Sequence, residues 1–210
     1  MNMAITSYST LQTSIGDWLN RADLTAVIPD FITLAEAQFN RNIRHRKMVE
    51  RATATLDSEY SAVPGDWLES IRFQINTNPI TVMEFVSPDQ AAMLKGANSA
   101  SGKPIYYTQI GQQFQVIPAP DSGSAYTGEL TYYAKIPALT VSNTSNWLLV
   151  EAPDLYLYGS LLQAAPYLQD DQRITVWGAL YDRAMSDLKV SDERSRMATS
   201  ALRMRARSFG

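Results

Sequence analysis

The stretch from Ala152 to Leu188, APDLYLYGSLLQAAPYLQDDQRITVWGALYDRAMSDL, decides the reading of this chain. Between Asp154 and Asp170 it has no charged side chain. A helix there places Leu155, Tyr158, Leu161, Leu162, Ala165 and Leu168 on one side and Tyr156, Ala164 and Tyr167 on the others, so every face needs cover. It is too short to span a bilayer, which takes about 20 apolar residues. A second helix follows the acidic pair Asp170 and Asp171, which read as cap and dipole partner. In it Ile174, Trp177, Tyr181, Ala184 and Leu188 recur at three- and four-residue steps, while Arg173, Asp182, Arg183, Asp187 and Lys189 avoid that stripe. The second helix covers one face of the first. The remaining cover must come from elsewhere in the chain or from another copy of it.

The 210 residues, 45% of them hydrophobic, suffice for a real core. With no cysteine there is neither disulfide nor thiolate chemistry, and MNMAITSYST lacks the basic and apolar regions of a signal peptide. A cytoplasmic site of synthesis is the expectation. The net charge of -3 hides an uneven distribution. Arg41 to Arg51 holds five bases against Glu50, and Arg194 to Arg207 holds five arginines and no acid. Between them acids predominate, so the molecule has differently charged ends, which bears on partners rather than on fold.

In chain order, Ser9 is read as the cap of a first helix with Leu11, Ile15, Trp18 and Leu19 on its apolar stripe. After a link over residues 22–28, Pro29 and Asp30 open a second helix in which Phe31, Ile32, Ala35, Phe39 and Ile43 repeat, with Glu36, Gln38, Asn40 and Asn42 assigned to its polar face. From Val49 the period changes to two. VERATATLD alternates, SIRFQIN and ITVMEFV flank the turn signal NTNP, PIYYTQI and QFQVIP flank Gly111, and ELTYYAKIP forms a last strand. Ser87 and Pro88 open a short helix to about Leu94. The expectation is an α+β, mainly α fold: a helical bundle core from residues 1–48 and 145–210, with a small antiparallel β insertion over 49–144.

Arg41, Arg44, His45, Arg46 and Lys47 close the second helix. Three readings stand: a solvated set complementing the helix dipole, a docking patch for an acidic protein surface, and a nucleic-acid patch, the last disfavoured because no aromatic is interleaved to stack on bases. His45 reads as a solvated surface histidine. One histidine and no cysteine leave no His/Cys metal site. Gly96 to Lys103 imitates a phosphate loop, but its glycines are one residue too far apart and Pro104 stands where Ser or Thr would be needed. Asp121, Ser122 and Gly123 are turn chemistry. No catalytic set emerges, so neither an enzyme nor a cofactor is expected.

The segments SYSTLQTSIGDWLNRADLTAVIPDFITLAEAQFNRNIRHRKM and DLYLYGSLLQAAPYLQDDQRITVWGALYDRAMSDL resemble the head-to-tail adaptors of short-tailed bacteriophages, similar to the tail tubular A and head-completion proteins that form a ring of twelve under the portal. That resemblance implies a structural virion protein assembled in the host cytoplasm and incorporated in the phage neck. Its subunits would pack side by side around a channel for passing DNA, without sequence specificity and without a membrane. The portal protein would lie on one side and the tail or nozzle protein on the other. Tyr156, Tyr158, Leu161, Tyr167, Trp177 and Tyr181 would then form the subunit core and interface. Arg194, Arg196, Met197, Arg203, Met204, Arg205, Arg207 and Phe209 would form a portal-docking tail. A frayed basic tail and DNA contact in the channel are the alternatives for that last segment. A small nucleic-acid-binding module, or another neck or tail protein, is the alternative for the whole chain.

Overall fold

The computed structural model describes residues 4–97, 100–121, 123, 125–168 and 172–197. In chain order the elements are α1 (Tyr8–Leu19), a 3-10 helix (Ala22–Val27), α2 (Ile28–Asn42), a short 3-10 turn (Arg46–Met48), β1 (Val49–Leu56), β2 (Tyr60–Ala62), β3 (Trp67–Ile75), β4 (Thr81–Phe85), α3 (Pro88–Ala97), β5 (Tyr106–Ile110), β6 (Gln113–Ile117), β7 (Tyr126–Ala134), α4 (Trp147–Glu151), α5 (Pro153–Gln163), a 3-10 turn (Ala165–Tyr167) and α6 (Arg173–Met197). The chain divides into two compact units, one of residues 1–46 with 136–210 and one of residues 47–135.

The first unit is helical. The hydroxyls of Ser7 and Thr10 cap α1 reciprocally, Ser7 Oγ accepting the Thr10 N–H at 3.3 Å and Thr10 Oγ1 accepting the Ser7 N–H at 2.9 Å, so the cap is Ser7 rather than Ser9. The helix ends at Asn20, left-handed at φ 52°, whose N–H returns to the Gly16 carbonyl. Leu11, Ile15 and Leu19 are buried along one stripe. The uncharged helix α5 is central, touched by α1, α2, α4 and α6 of its own chain. The stripe of α6 is buried at Trp177, Tyr181, Ala184 and Leu188. At Gly159 a Cβ would stand 2.8 Å from Phe39 Cζ, so only glycine lets α5 approach α2 this closely.

The second unit corrects the expectation of a mainly helical protein with a small insertion. Of the described residues about 48% are helical and 24% are in strands, and the strands form one seven-stranded, nearly closed, barrel-like sheet in the order β1-β7-β3-β4-β5-β6-β2. All neighbours are antiparallel except β4 and β5, which run parallel because α3 carries the chain across between them. The last strand, β7, lies between β1 and β3, pairing Val49 with Tyr133 on one side and Phe73 with Leu130 on the other. Leu56, Phe73, Ile75, Met83, Tyr107, Phe114, Val116, Leu130, Tyr132 and Ala134 fill the interior. Gly128 lets β7 pass Leu56 and Phe73, which would meet a Cβ at 2.9 and 3.1 Å. Ser87 and Gln90 cap α3 reciprocally, and Lys95 Nζ near its end donates to Glu59 at 2.6 Å. That bond holds the Glu59 carboxyl below its ordinary range.

Candidate functional site

A buried polar network organises the helical unit. The Tyr156 hydroxyl, fully buried on α5, donates to Glu36 Oε1 at 3.0 Å and accepts from Asn146 Nδ2 at 2.6 Å. Glu36 Oε1 also accepts the Leu139 N–H at 2.8 Å, and Asn146 Nδ2 donates to the Pro137 carbonyl at 2.8 Å. Asn146 Oδ1 caps α4 by accepting the Leu149 N–H, and Asn40 Oδ1 accepts the Ile136 N–H. Glu36 and Asn40 on α2 and Asn146 at the cap of α4 thereby satisfy backbone groups of the returning strap, residues 136–146. Burial raises the Glu36 carboxyl above its ordinary value against the two hydrogen bonds it accepts. Burial and the neighbouring Glu36 raise the Tyr156 hydroxyl, so it stays a neutral donor. Glu36 was assigned to the polar face of α2 and is instead buried, because its partners lie more than a hundred residues along the chain.

Of the residues expected at the core and interface, Tyr156, Leu161, Trp177 and Tyr181 are buried within the unit. Phe39 packs edge-on to Tyr156 at 5.1 Å and parallel to Tyr181 at 6.5 Å. Tyr158 is half-buried, and Tyr167 is exposed on one side, its ring edge against Phe31 at 5.4 Å. Tyr158 meets Trp18 edge-on at 5.8 Å, and Trp18 is 43% exposed. The Arg173 guanidinium lies 5.2 Å over Trp177 and donates to the Trp18 carbonyl at 3.0 Å. With Asp17 and the exposed Val176 these residues line a shallow hollow of about 540 Å³.

The basic end of α2 is more structured than its sequence suggests. Arg44 Nη1 donates to the Asn40 and Ile43 carbonyls, the last of the helix. His45 is buried, a correction to the solvated reading: it stacks on Trp147 at 4.9 Å, with Nε2 3.5 Å from Asp192 Oδ1. Asp192, itself buried on α6, also accepts the Arg46 N–H at 3.2 Å and pairs with Arg196 Nη2 at 2.7 Å. Arg41 and Arg194 are exposed, and Lys47 opens the second unit. Arg196, expected in the portal-docking tail, is half-exposed and pairs with Asp192 one turn earlier on α6. The side chain of Met197, and Arg203, Met204, Arg205, Arg207 and Phe209, lie outside the described residues.

Sequence reasoning missed Asn146, Asp192 and Glu36. Asn146 directly before WLLVE was a readable N-cap signal, and Asp192 four residues before Arg196 a readable helical pair. Nothing local marked Glu36. In the barrel, the Tyr132 hydroxyl donates to Asp66 at 3.0 Å, and burial with that carboxylate pushes it up to about 12. Among the described residues no group of three or more His, Cys, Asp and Glu side chains could hold a metal ion. No helix among them is long and apolar enough to cross a membrane.

The described residues thus offer packed aromatic side chains, a basic helix end and filled interiors rather than a catalytic set. A family model described as SU10 adaptor protein matches residues 6–205, which takes in both units. No curated protein matches the chain.

Proposed function

The chain belongs to the SU10 adaptor protein family, a structural component of the phage virion and not a known enzyme class, and on that premise we propose that it forms the ring joining the portal vertex to the tail. The match across nearly the whole chain carries this reading. The copies pack side by side, twelve by the resemblance, through one heterologous contact repeated by rotation. Because α5 is already covered by helices of its own unit, that contact uses surface residues, among them the half-exposed Trp18 with Val176 and Arg173 around its hollow. DNA passes through the ring without base contacts. The portal protein binds the helical unit, with Arg41 and Arg194 on its basic end, and the tail or nozzle protein binds loops of the barrel.

Mixing the purified protein with isolated portal and following the mass by sedimentation tests the proposal. A portal that gains a full complement of the chain supports it. A portal that gains none refutes it. A protein that stays monomeric and retards DNA with a steep salt dependence would support the nucleic-acid-binding alternative instead.

A further inference from the structure

In the barrel, β4 pairs with β3 only from Phe73 to Ile75 and then leaves to pair with β5 at Glu84 and Phe85. The first part of β3, interrupted by register shifts after Trp67 and Ser70, has a neighbouring strand on the β7 side alone among the described residues. Where the ladder stops there is a groove of about 520 Å³, walled by every residue of β3 from Trp67 to Phe73. Apart from Gln109, its other lining residues are apolar, and with β3 they run from Phe73, Tyr107 and Phe114, which are buried, to Ile71, Val82 and Phe85 at the rim, which are 48%, 58% and 60% exposed. An edge of strand backbone beside an apolar trough accepts an extended segment: the main chain supplies hydrogen bonds, and every second side chain enters the trough.

The sequence contains such a segment. Residues 202–207, LRMRAR, alternate strictly, so that a strand presents Leu202, Met204 and Ala206 on one face and Arg203, Arg205 and Arg207 on the other. They belong to the 13 residues that follow Met197, which span about 43 Å if extended at about 3.3 Å each. Charge agrees: residues 198–210 carry three arginines and no acid, whereas residues 47–135 carry nine acids against six bases.

We propose that the groove between β3 and β4 takes the C-terminal segment around Leu202–Arg207 of a second copy as an added strand. The aliphatic residues then enter the trough, and the arginines face the acidic exterior of the barrel. Donation from copy to copy is a head-to-tail contact that closes by rotation, and on this point alone the proposal rests on the ring reading.

A labelled peptide of residues 198–210, titrated into the full chain and followed by fluorescence anisotropy, tests the groove without requiring a ring. Binding is expected, and Val82→Arg, at an exposed position that the fold does not need, weakens it at least tenfold. A permuted peptide of the same composition with its arginines contiguous also binds at least tenfold more weakly. Equal binding of the two peptides, or no binding of either at millimolar concentration, overturns the proposal. The donor is identified by oxidising the assembled Val82→Cys, Met204→Cys double variant, which is otherwise free of cysteine. A ladder of linked chains is expected, and a monomer closed on itself overturns the second-copy assignment. A peptide that binds in solution while no ring forms on the portal would leave the groove standing and count against the ring.

Discussion

Replacing Gly159 by alanine is the most exacting perturbation of the helical unit, because two effects of opposite sign act at one atom. Alanine in a helix interior is favoured over glycine by about 0.5–1 kcal/mol. Against this, the new Cβ would lie 2.8 Å from Phe39 Cζ, 3.1 Å from Phe39 Cε1 and 3.4 Å from Tyr181 Cε2. Phe39 is fully buried and cannot swing away, being held edge-on by Tyr156 and in parallel by Tyr181. Overpacking of this kind costs roughly 1–3 kcal/mol. The net expectation is a loss of about 1–2 kcal/mol, or about 3–8 °C in Tm for a unit of this size. Trp18, Trp147 and Trp177 lie in the helical unit and Trp67 in the barrel, so urea unfolding followed by tryptophan fluorescence reports mainly the former. Phe39→Leu in the Gly159→Ala background should recover part of the loss, giving a favourable coupling between the two sites. Gly159→Ala as stable as the parent or more so would refute the close approach of α5 to α2.

Two further outcomes follow from the same unit. Leu161→Asp places a carboxylate at a fully buried position on α5 and should abolish folding of the helical unit, visible as loss of the cooperative transition; a variant melting like the parent would contradict the burial. Glu36 has a folded value raised above its ordinary 4.5, so its contribution to stability is fully present below that pH and is lost as pH rises through the raised value. Glu36→Gln retains an oxygen for the Leu139 N–H and the Tyr156 hydroxyl, and the difference in stability between parent and variant should shift in the variant's favour as pH rises from about 4 to 7, whereas a difference that is flat with pH would refute the assignment.

What the sequence made legible were patterns set by near neighbours. Leu11, Ile15 and Leu19 fall on one stripe by spacing alone, and Trp177, Tyr181, Ala184 and Leu188 on another. The uncharged run of α5 correctly demanded cover on all sides, and its cover proved to be four helices of its own unit. The hairpins at Asn76 to Pro79 and at Gly111 were readable because turn and strands are contiguous. The barrel was not, because its closure depends on β7 entering between β1 and β3, strands more than fifty residues earlier in the chain. The two short strands and α3 were each visible, yet the parallel pairing of β4 with β5 is a property of the crossover and not of any one segment. Polarity misled at both Glu36, placed on the polar face of α2, and His45, placed in a basic cluster: only Tyr156, Leu139, Trp147 and Asp192, remote in sequence, make their burial affordable. Of the interaction surfaces, the charge of the basic helix end was legible. The capture of Arg196 by Asp192 and the groove beside β3 arise only when the chain is folded.

The reading stands or falls on whether this chain is the joint between head and tail. Cryo-electron microscopy of the neck of intact particles tests it most directly. A closed ring of this chain beneath the portal is expected, with its helical unit against the portal and its barrel toward the tail. Density at that level that does not fit the two units, with the chain located elsewhere in the particle, would contradict it.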